Sequence, residues 1–135
     1  MTVLLLDTNV VSILFNRNHP LRQVCINAVA GHQLVISFMT RAELLLWPVA
    51  NNWGQTRREA LEQHMARYLT LYPDERTCEI WSATVDQCRR AGRRIQTADA
   101  WIAAAAQQWG CPLVTADFGD YAAVEGLAIV PIRQE

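Results

Sequence analysis

Apolar residues along the chain gather either in short continuous runs or at helical spacing, and the two patterns alternate. Continuous apolar runs are typical of strands that are covered on both faces of a sheet. They predict four strands, at Thr2–Leu6, Gln33–Ser37, Leu113–Thr115 and Leu127–Pro131. Because segments with a helical period separate these runs, we expect a right-handed, mostly parallel α/β sheet flanked by helices.

Prolines, glycines and polar capping residues indicate where the helices begin and end. Pro48 is expected to end one helix, and Gly110 is expected to follow the last residue of another. Apolar spacing places Leu69 and Tyr72 on the buried face of one long helix. The predicted helices are Asn9–Phe15, 20–30, Thr40–Trp47, Thr56–Tyr72, Glu75–Ala91 and Thr97–Trp109.

Four acidic residues stand where such a sheet would bring them together. Asp7 and Asp117 follow predicted strands, and Glu43 lies in the helix after the second strand. Asp99 begins a helix that leads back into a strand, so the start of that helix lies at the carboxyl edge of the sheet. We therefore expect the four carboxylates to share this edge and to form a catalytic site.

A cluster of carboxylates requires a compensating charge. Two carboxylates about 5 Å apart repel each other by about 3 kcal/mol at an effective dielectric constant of about 20. Such repulsion raises their pKa values or recruits a cation, and hard oxygen ligands favour Mg²⁺, for which Mn²⁺ can substitute. We expect Asp7, Asp99 and Asp117 to be the metal ligands. A metal held there could activate water for attack on a phosphodiester.

Each of the four acids also has a purely structural interpretation, which the sequence leaves open. Asp7 could cap the following helix. Thr40 and Glu43 have the spacing of a capping box, in which Glu43 would contact the start of its own helix. Asp99 could be a first-turn acid favoured by the helix dipole, and Asp117 could be a turn residue. The convergence of all four acids favours the site.

Polar neighbours of these acids could support the site indirectly. Thr8, Asn9 and Thr115 are expected to orient the acids through hydrogen bonds, or to cap helices, and Asp120 could assist Asp117. An arginine cluster before the Asp99 helix could hold phosphates beside the metal, although a solvated helix end is an equally good explanation. The arginines of this cluster are Arg89, Arg90, Arg93 and Arg94.

Length and charge describe an ordinary globular chain. With 135 residues, 51% of them hydrophobic, and a formal net charge of −1, we expect one domain over residues 1–135. No basic stretch precedes the first apolar run, and no run approaches the roughly 20 residues of a membrane span. We therefore expect a cytoplasmic protein with no membrane partner.

The cysteines, the absence of lysine, and the tryptophans and histidines each support a separate expectation. The four cysteines form no C-x-x-C pair and are expected to be reduced and buried. All twelve basic residues are Arg, which argues against phosphoacceptor folds that need a Lys near the phosphoryl group. Trp81, Trp101 and Trp109 fit core positions, whereas Trp47 and Trp53 are better candidates for a partner surface. No role is assigned to His19, His32 or His64, which are expected in loops or on a polar helix side.

Four segments resemble the PIN-domain ribonucleases, specifically the VapC-like toxins of toxin–antitoxin pairs. These segments are Leu6–Asn9, Thr40–Leu44, Ala98–Ala104 and Leu113–Tyr121, and the resemblance covers essentially the whole chain. Asp-x-x-Ile-Ala-Ala, in the third segment, is the most specific string. The resemblance implies a three-layer α/β/α sandwich with a short central sheet and a protruding helix pair.

The resemblance also implies a function. Asp7, Glu43 and Asp99 match three family acids, and Asp117 matches a fourth position. A Mg²⁺-dependent endoribonuclease is implied, in which an activated water attacks phosphorus and leaves 5′-phosphate and 3′-hydroxyl ends. A homodimer and a cognate VapB-like antitoxin are implied as well. The competing interpretation is a catalytically inactive PIN-like module that binds RNA or protein.

Overall fold

Short parallel strands form one central sheet in the computed structural model, which describes residues 2–134. In chain order the strands are β1 (Val3–Leu6), β2 (Gln33–Ser37), β3 (Leu69–Leu71), β4 (Leu113–Thr115) and β5 (Ile129–Pro131). Their order across the sheet is β3-β2-β1-β4-β5, and every neighbouring pair is parallel. The predicted parallel α/β fold is confirmed.

Helices cover both faces of this sheet. They are α1 (Thr8–Phe15), α2 (Arg22–Val29), α3 (Phe38–Ala50), α4 (Gln55–Met65), α5 (Glu75–Arg90) and α6 (Thr97–Trp109), and a short 3₁₀ turn follows at Phe118–Tyr121. Since strand side chains alternate between faces, Leu4 and Leu6 of β1 pack with α1, α2 and α4. Leu5, between them, packs with α5 and α6 on the other face. The result is a three-layer sandwich.

β3 is the strand that the sequence pattern misses. The helix predicted over Thr56–Tyr72 ends at Met65, and the chain then turns and pairs with β2. A strand of three residues is too short to show a clear alternation of apolar and polar positions. Consequently Leu69 and Tyr72, predicted to be buried, are 59% and 66% exposed.

α3 is longer at both ends than predicted. It begins at Phe38 because the Ser37 hydroxyl caps it, accepting hydrogen bonds from the backbone N–H groups of Met39 at 2.9 Å and Thr40 at 3.4 Å. Pro48 lies inside the helix and does not end it. Proline removes one helical N–H, but the turn continues because the Asn51 N–H donates to the Trp47 carbonyl at 3.0 Å.

Three further side chains depart from their predicted burial. Cys78 is exposed, whereas Cys25, Cys88 and Cys111 are buried, and all four thiols are free. Trp109 was predicted in the core but is 57% exposed at the end of α6. His64 was expected on a polar surface but is only 8% exposed, with Nε2 2.8 Å from the Tyr68 hydroxyl. Among residues 2–134, no helix is long and apolar enough to cross a bilayer.

Candidate active site

Asp7 lies at the centre of the carboxyl edge of the sheet, between β1 and α1. It caps α1, because Oδ1 accepts a hydrogen bond from the Thr8 N–H at 2.8 Å. Its other oxygen, Oδ2, accepts from the Thr115 hydroxyl at 2.7 Å and from the Tyr121 hydroxyl at 3.1 Å. Asp7 is 5% exposed, and this burial raises its pKa despite the donors. Its capping role and its place in the cluster coexist.

Tyr121 connects Asp7 to Asp99. Its hydroxyl oxygen lies 3.1 Å from Asp7 Oδ2 and 3.3 Å from Asp99 Oδ1. A phenol carries one hydrogen, so it satisfies only one carboxylate at a time. Burial and the adjacent Asp7 charge raise the pKa of Asp99 to about 6, and burial keeps the pKa of Tyr121 far above its usual value. Asp99 therefore keeps its proton to a higher pH than an exposed aspartate does.

Asn9 connects Asp7 to Asp117. Its side-chain amide donates to Asp117 Oδ2 at 2.9 Å and approaches Asp7 Oδ2 at 3.4 Å. Its oxygen accepts from the backbone N–H of Ala116 at 3.2 Å, which fixes the orientation of the amide. The Thr115 hydroxyl accepts from the Asp117 N–H at 3.0 Å. Asp117 itself is exposed at the rim.

Glu43 joins the site through Thr8. The Thr8 hydroxyl donates to Glu43 Oε1 at 2.8 Å and lies 3.0 Å from the Thr40 hydroxyl. The capping box suggested for Thr40 and Glu43 is wrong, because Ser37 is the N-cap of α3 and both residues lie inside the helix. Glu43 is thus available to the cluster.

Negative charge in this cluster is not neutralised by protein cations. Within residues 2–134, the ion pairs involve Glu79 and Asp86, and none involves Asp7, Asp99 or Asp117. Asp7, Asp120 and Glu43 all raise the pKa of Asp99 by repulsion, after the larger effect of burial. Uncompensated carboxylates of this kind attract a cation.

The donor set fits a hard divalent cation that retains water. In the described part of the chain, no three His, Cys, Asp or Glu side chains are close enough to form a ready-made metal cage. Mg²⁺ does not require one, because it is usually held by one or two carboxylates and completes its shell with water or phosphate. That Asp7, Asp99 and Asp117 share one ion stays a prediction.

The four predicted phosphate-binding arginines fall into two pairs. Arg93 and Arg94 line a cavity of about 190 Å³ together with Asp99 and Asp120. Arg89 and Arg90 lie at the end of α5, where each pairs with Asp86, at 2.7 and 2.8 Å. Arg93 and Arg94 are therefore the two that lie beside the cluster.

Tyr121 is the site residue to which the sequence assigned no role. It is 1% exposed, with its ring in the core and its hydroxyl between two acids. The signal available was its position in the last motif, four residues after Asp117. A tyrosine there is equally typical of plain core packing, so the sequence could not distinguish the two.

Comparisons with known proteins agree on one family. The PIN domain model matches residues 4–126. Ribonuclease VapC4 of Mycobacterium tuberculosis is 32% identical over 105 residues, which cover 76% of this chain and 80% of that protein. The structure of VapBC-1 from nontypeable Haemophilus influenzae has a TM-score of 0.82, is 25% identical and covers 98% of this chain and 100% of its own.

A second similar solved structure belongs to a toxin–antitoxin system. It is a member of the VapBC family of toxin–antitoxin systems, VapBC-5 from Mycobacterium tuberculosis. Its TM-score is 0.70 and its identity is 25%, with coverage of 99% of this chain and 100% of that chain.

Proposed function

Because the chain belongs to the PIN-domain family, we propose that it is a metal-dependent endoribonuclease acting as the toxin of a toxin–antitoxin pair. The observation that carries this proposal is the hydrogen-bonded group of four uncompensated carboxylates at the carboxyl edge of the sheet. The similarity to a protein named Ribonuclease VapC4 supports RNA as the substrate.

Asp7, Asp99 and Asp117 would hold the ion, with Mg²⁺ as the cofactor and Mn²⁺ as a substitute. When bound, the ion would supply a polarised water and neutralise charge at the scissile phosphate. Glu43, held by Thr8, would accept a proton at the site rim.

The remaining side chains would orient these acids and the RNA. Asn9, Thr115 and Tyr121 would fix the orientation of the carboxylates through their hydrogen bonds. Arg93 and Arg94, which line the cavity beside Asp99, would hold RNA phosphates.

The proposal includes partners. A VapB-like antitoxin is supported by the similarity to VapBC structures, one of which is a member of a family of toxin–antitoxin systems. Large apolar side chains on the outer face of α3, Leu45, Leu46 and Val49, are 50%, 58% and 64% exposed. Such a patch is typical of a protein interface and supports a homodimer or an antitoxin contact. Cytoplasmic location follows from the proposed RNA substrate.

The decisive experiment is cleavage of a structured RNA by the purified chain, separated from any co-expressed antitoxin. Cleavage is expected with Mg²⁺ or Mn²⁺, to be lost with EDTA, and to leave 5′-phosphate ends. Asp7→Asn and Asp99→Asn are expected to lower the rate by at least about 100-fold, whereas the surface variant Asp86→Asn retains it. Equal rates in all four proteins would instead support the inactive binding module.

A second measurement addresses the choice of RNA. Sequencing 5′-phosphate ends across the transcriptome after induction should yield a small set of sites that are absent from cells expressing Asp99→Asn. Identical end profiles in the two strains would contradict a toxin that acts by RNA cleavage.

A further inference from the structure

A large cavity lies on the sheet face covered by α1, α2 and α4, away from the acids. Its volume is about 720 Å³, within the range of ligand-binding sites. It is lined by the carboxyl-terminal half of α1, the start of α2, the end of α3 and one side of α4. Asp7 caps the opposite end of α1, so the two sites are about 12 Å apart at about 1.5 Å per helical residue.

The charge of this cavity is entirely positive. Arg17, Arg22, Arg57 and Arg67 line it, and no acidic residue of the described chain does. None of the four takes part in an ion pair within residues 2–134. Burial, and after it the nearby charges of Arg67 and Arg22, lowers the pKa of His64 in the cavity wall to about 4. Four guanidinium groups around one cavity, without an acidic partner in the described chain, indicate an anionic ligand.

Aromatic side chains hold one of these arginines in place. The Arg57 guanidinium carbon lies 3.9 Å from the ring centroid of Trp53, and Trp53 stacks on Phe15 with centroids 6.0 Å apart. Trp47 also lines the cavity. A guanidinium placed over an aromatic ring can still donate two hydrogen bonds to a phosphate, and unpaired bases stack on arginine planes and aromatic rings.

From this geometry we infer that the cavity is a second RNA site, which binds the phosphates and one base of a single-stranded segment outside the cleaved bond. This inference rests on the proposed ribonuclease function. At about 3.4 Å per stacked nucleotide, about four nucleotides span the distance between the two sites. The combination of arginines with aromatic rings is the one by which proteins hold single-stranded RNA.

The test uses a short, mixed-sequence, single-stranded RNA labelled with fluorescein, and binding measured by anisotropy at several salt concentrations. All proteins carry Asp99→Asn, so that the RNA stays intact. Arg57→Gln and Arg67→Gln are each expected to weaken binding about 3- to 10-fold and to reduce the salt slope by about 0.7. Arg76→Gln, which removes one exposed arginine from α5, is the matched control and should bind like the parent.

Turnover of long RNA by proteins with Asp99 intact provides an independent measurement. Arg57→Gln should raise KM with kcat unchanged, since the residue contacts RNA away from the reacting phosphate. Unaltered RNA affinity in both arginine variants would overturn the inference. The same holds if the variants keep their RNA affinity and lose affinity only for a co-purified antitoxin, because the cavity would then be a protein-binding site. If the arginine variants lose RNA affinity while the wild-type chain, with Asp99 intact, fails to cut RNA, the second RNA site stands and the proposed nuclease function fails.

Discussion

Asp7 and Asp99 are carboxylates whose charged form the fold disfavours. Both have raised pKa values, and in both burial is the main cause. A group of this kind lowers the free energy of unfolding whenever it is ionised, because the unfolded chain hydrates the charge better. The site therefore reduces stability at neutral pH, and it does so at residues the proposed chemistry needs.

Asp99→Asn should stabilise the metal-free protein at neutral pH. The pKa of Asp99 is about 6 in the folded chain, against a reference of 3.8. Wild-type stability is therefore lost as pH rises from about 4 to 6, and the variant avoids this loss. We expect a gain on the order of 2 kcal/mol at pH 7.5 that vanishes near pH 4, measured by urea denaturation in EDTA.

Asp86→Asn provides the control of opposite sign. The Arg89 side chain lowers the pKa of Asp86, so its charge stabilises the folded chain at neutral pH. Its replacement should slightly destabilise the protein at pH 7.5, with an effect that fades at low pH. If Asp86→Asn and Asp99→Asn both raised the free energy of unfolding at neutral pH, burial and repulsion at Asp99 would not be the cause of its effect.

Tyr121→Phe should change activity more than stability. The ring remains to fill its buried position, but Asp7 and Asp99 lose a shared donor, so the pKa of both carboxyls rises. We expect kcat to fall about 10- to 100-fold and the acidic limb of the pH–rate profile to move to higher pH. Tyr72→Phe, at an exposed position, should leave the profile unchanged. An unshifted acidic limb in Tyr121→Phe would exclude this coupling.

Sequence reasoning located the acids because their positions follow from topology alone. Asp7 directly follows β1, Asp117 is the second residue after β4, and the start of a crossover helix must return to the same edge. It could not find the Tyr121 hydroxyl or reject the capping box at Thr40 and Glu43. The position of the Tyr121 hydroxyl depends on side-chain direction, which the sequence does not give. The capping box depends on where α3 begins, and Ser37, three residues before Thr40, determines that start.

Among the secondary structure elements, α3 shows how a buried cap sets a functional position. Ser37 ends β2 and caps α3, and Glu43 follows six residues later, inside the helix. Ser37 is fully buried, so water cannot reach the first N–H groups of the helix. The Ser37 hydroxyl is therefore their hydrogen-bond acceptor. The register of Glu43 toward Thr8 thus depends on Ser37.

Ser37→Ala should destabilise the protein by about 1 to 2 kcal/mol, because buried N–H groups of α3 lose their acceptor. Chemical denaturation measures this change directly. Ser82→Ala, on an exposed position of α5, is the control and should be neutral or slightly stabilising. A neutral Ser37→Ala would mean that another group caps α3.

The ends of helices and strands could be predicted only where a residue with a strong conformational preference lies at the end. Gly110, in a left-handed conformation with φ of 64°, ends α6 at the predicted residue. Pro48 was a misleading signal because a proline near a helix end forfeits only one hydrogen bond. No proline or glycine separates β3 from α4, and Leu69 continues the four-residue spacing of Leu61 and Met65.

At the scale of the whole molecule, the site joins the two hydrophobic cores. Leu6, in one core, directly precedes Asp7, whereas Tyr121 belongs to the other core. The Asp7 carboxylate and the Tyr121 hydroxyl meet at the carboxyl edge, beside β1 and β4. Ligand binding at this edge therefore couples to global stability.

Saturating Mn²⁺ should raise the melting temperature of the wild-type chain in a calorimetric or fluorescence melt. A concentration of about 100 times Kd corresponds to about 2.7 kcal/mol, or several degrees for a domain of this size. The increase should shrink at pH 5, since protons compete for Asp99, and it should be absent in Asp7→Asn. Equal increases in both proteins would place the ion elsewhere.

The uneven burial of the four thiols allows selective chemistry. Burial raises the pKa of Cys25 to about 11 and also raises those of Cys88 and Cys111, whereas Cys78 is exposed on α5. Maleimide reagents, which react with accessible thiolates, will therefore modify the native chain at Cys78 alone. A spin label attached there would report the separation of two α5 helices in a homodimer by electron paramagnetic resonance, without any engineered cysteine.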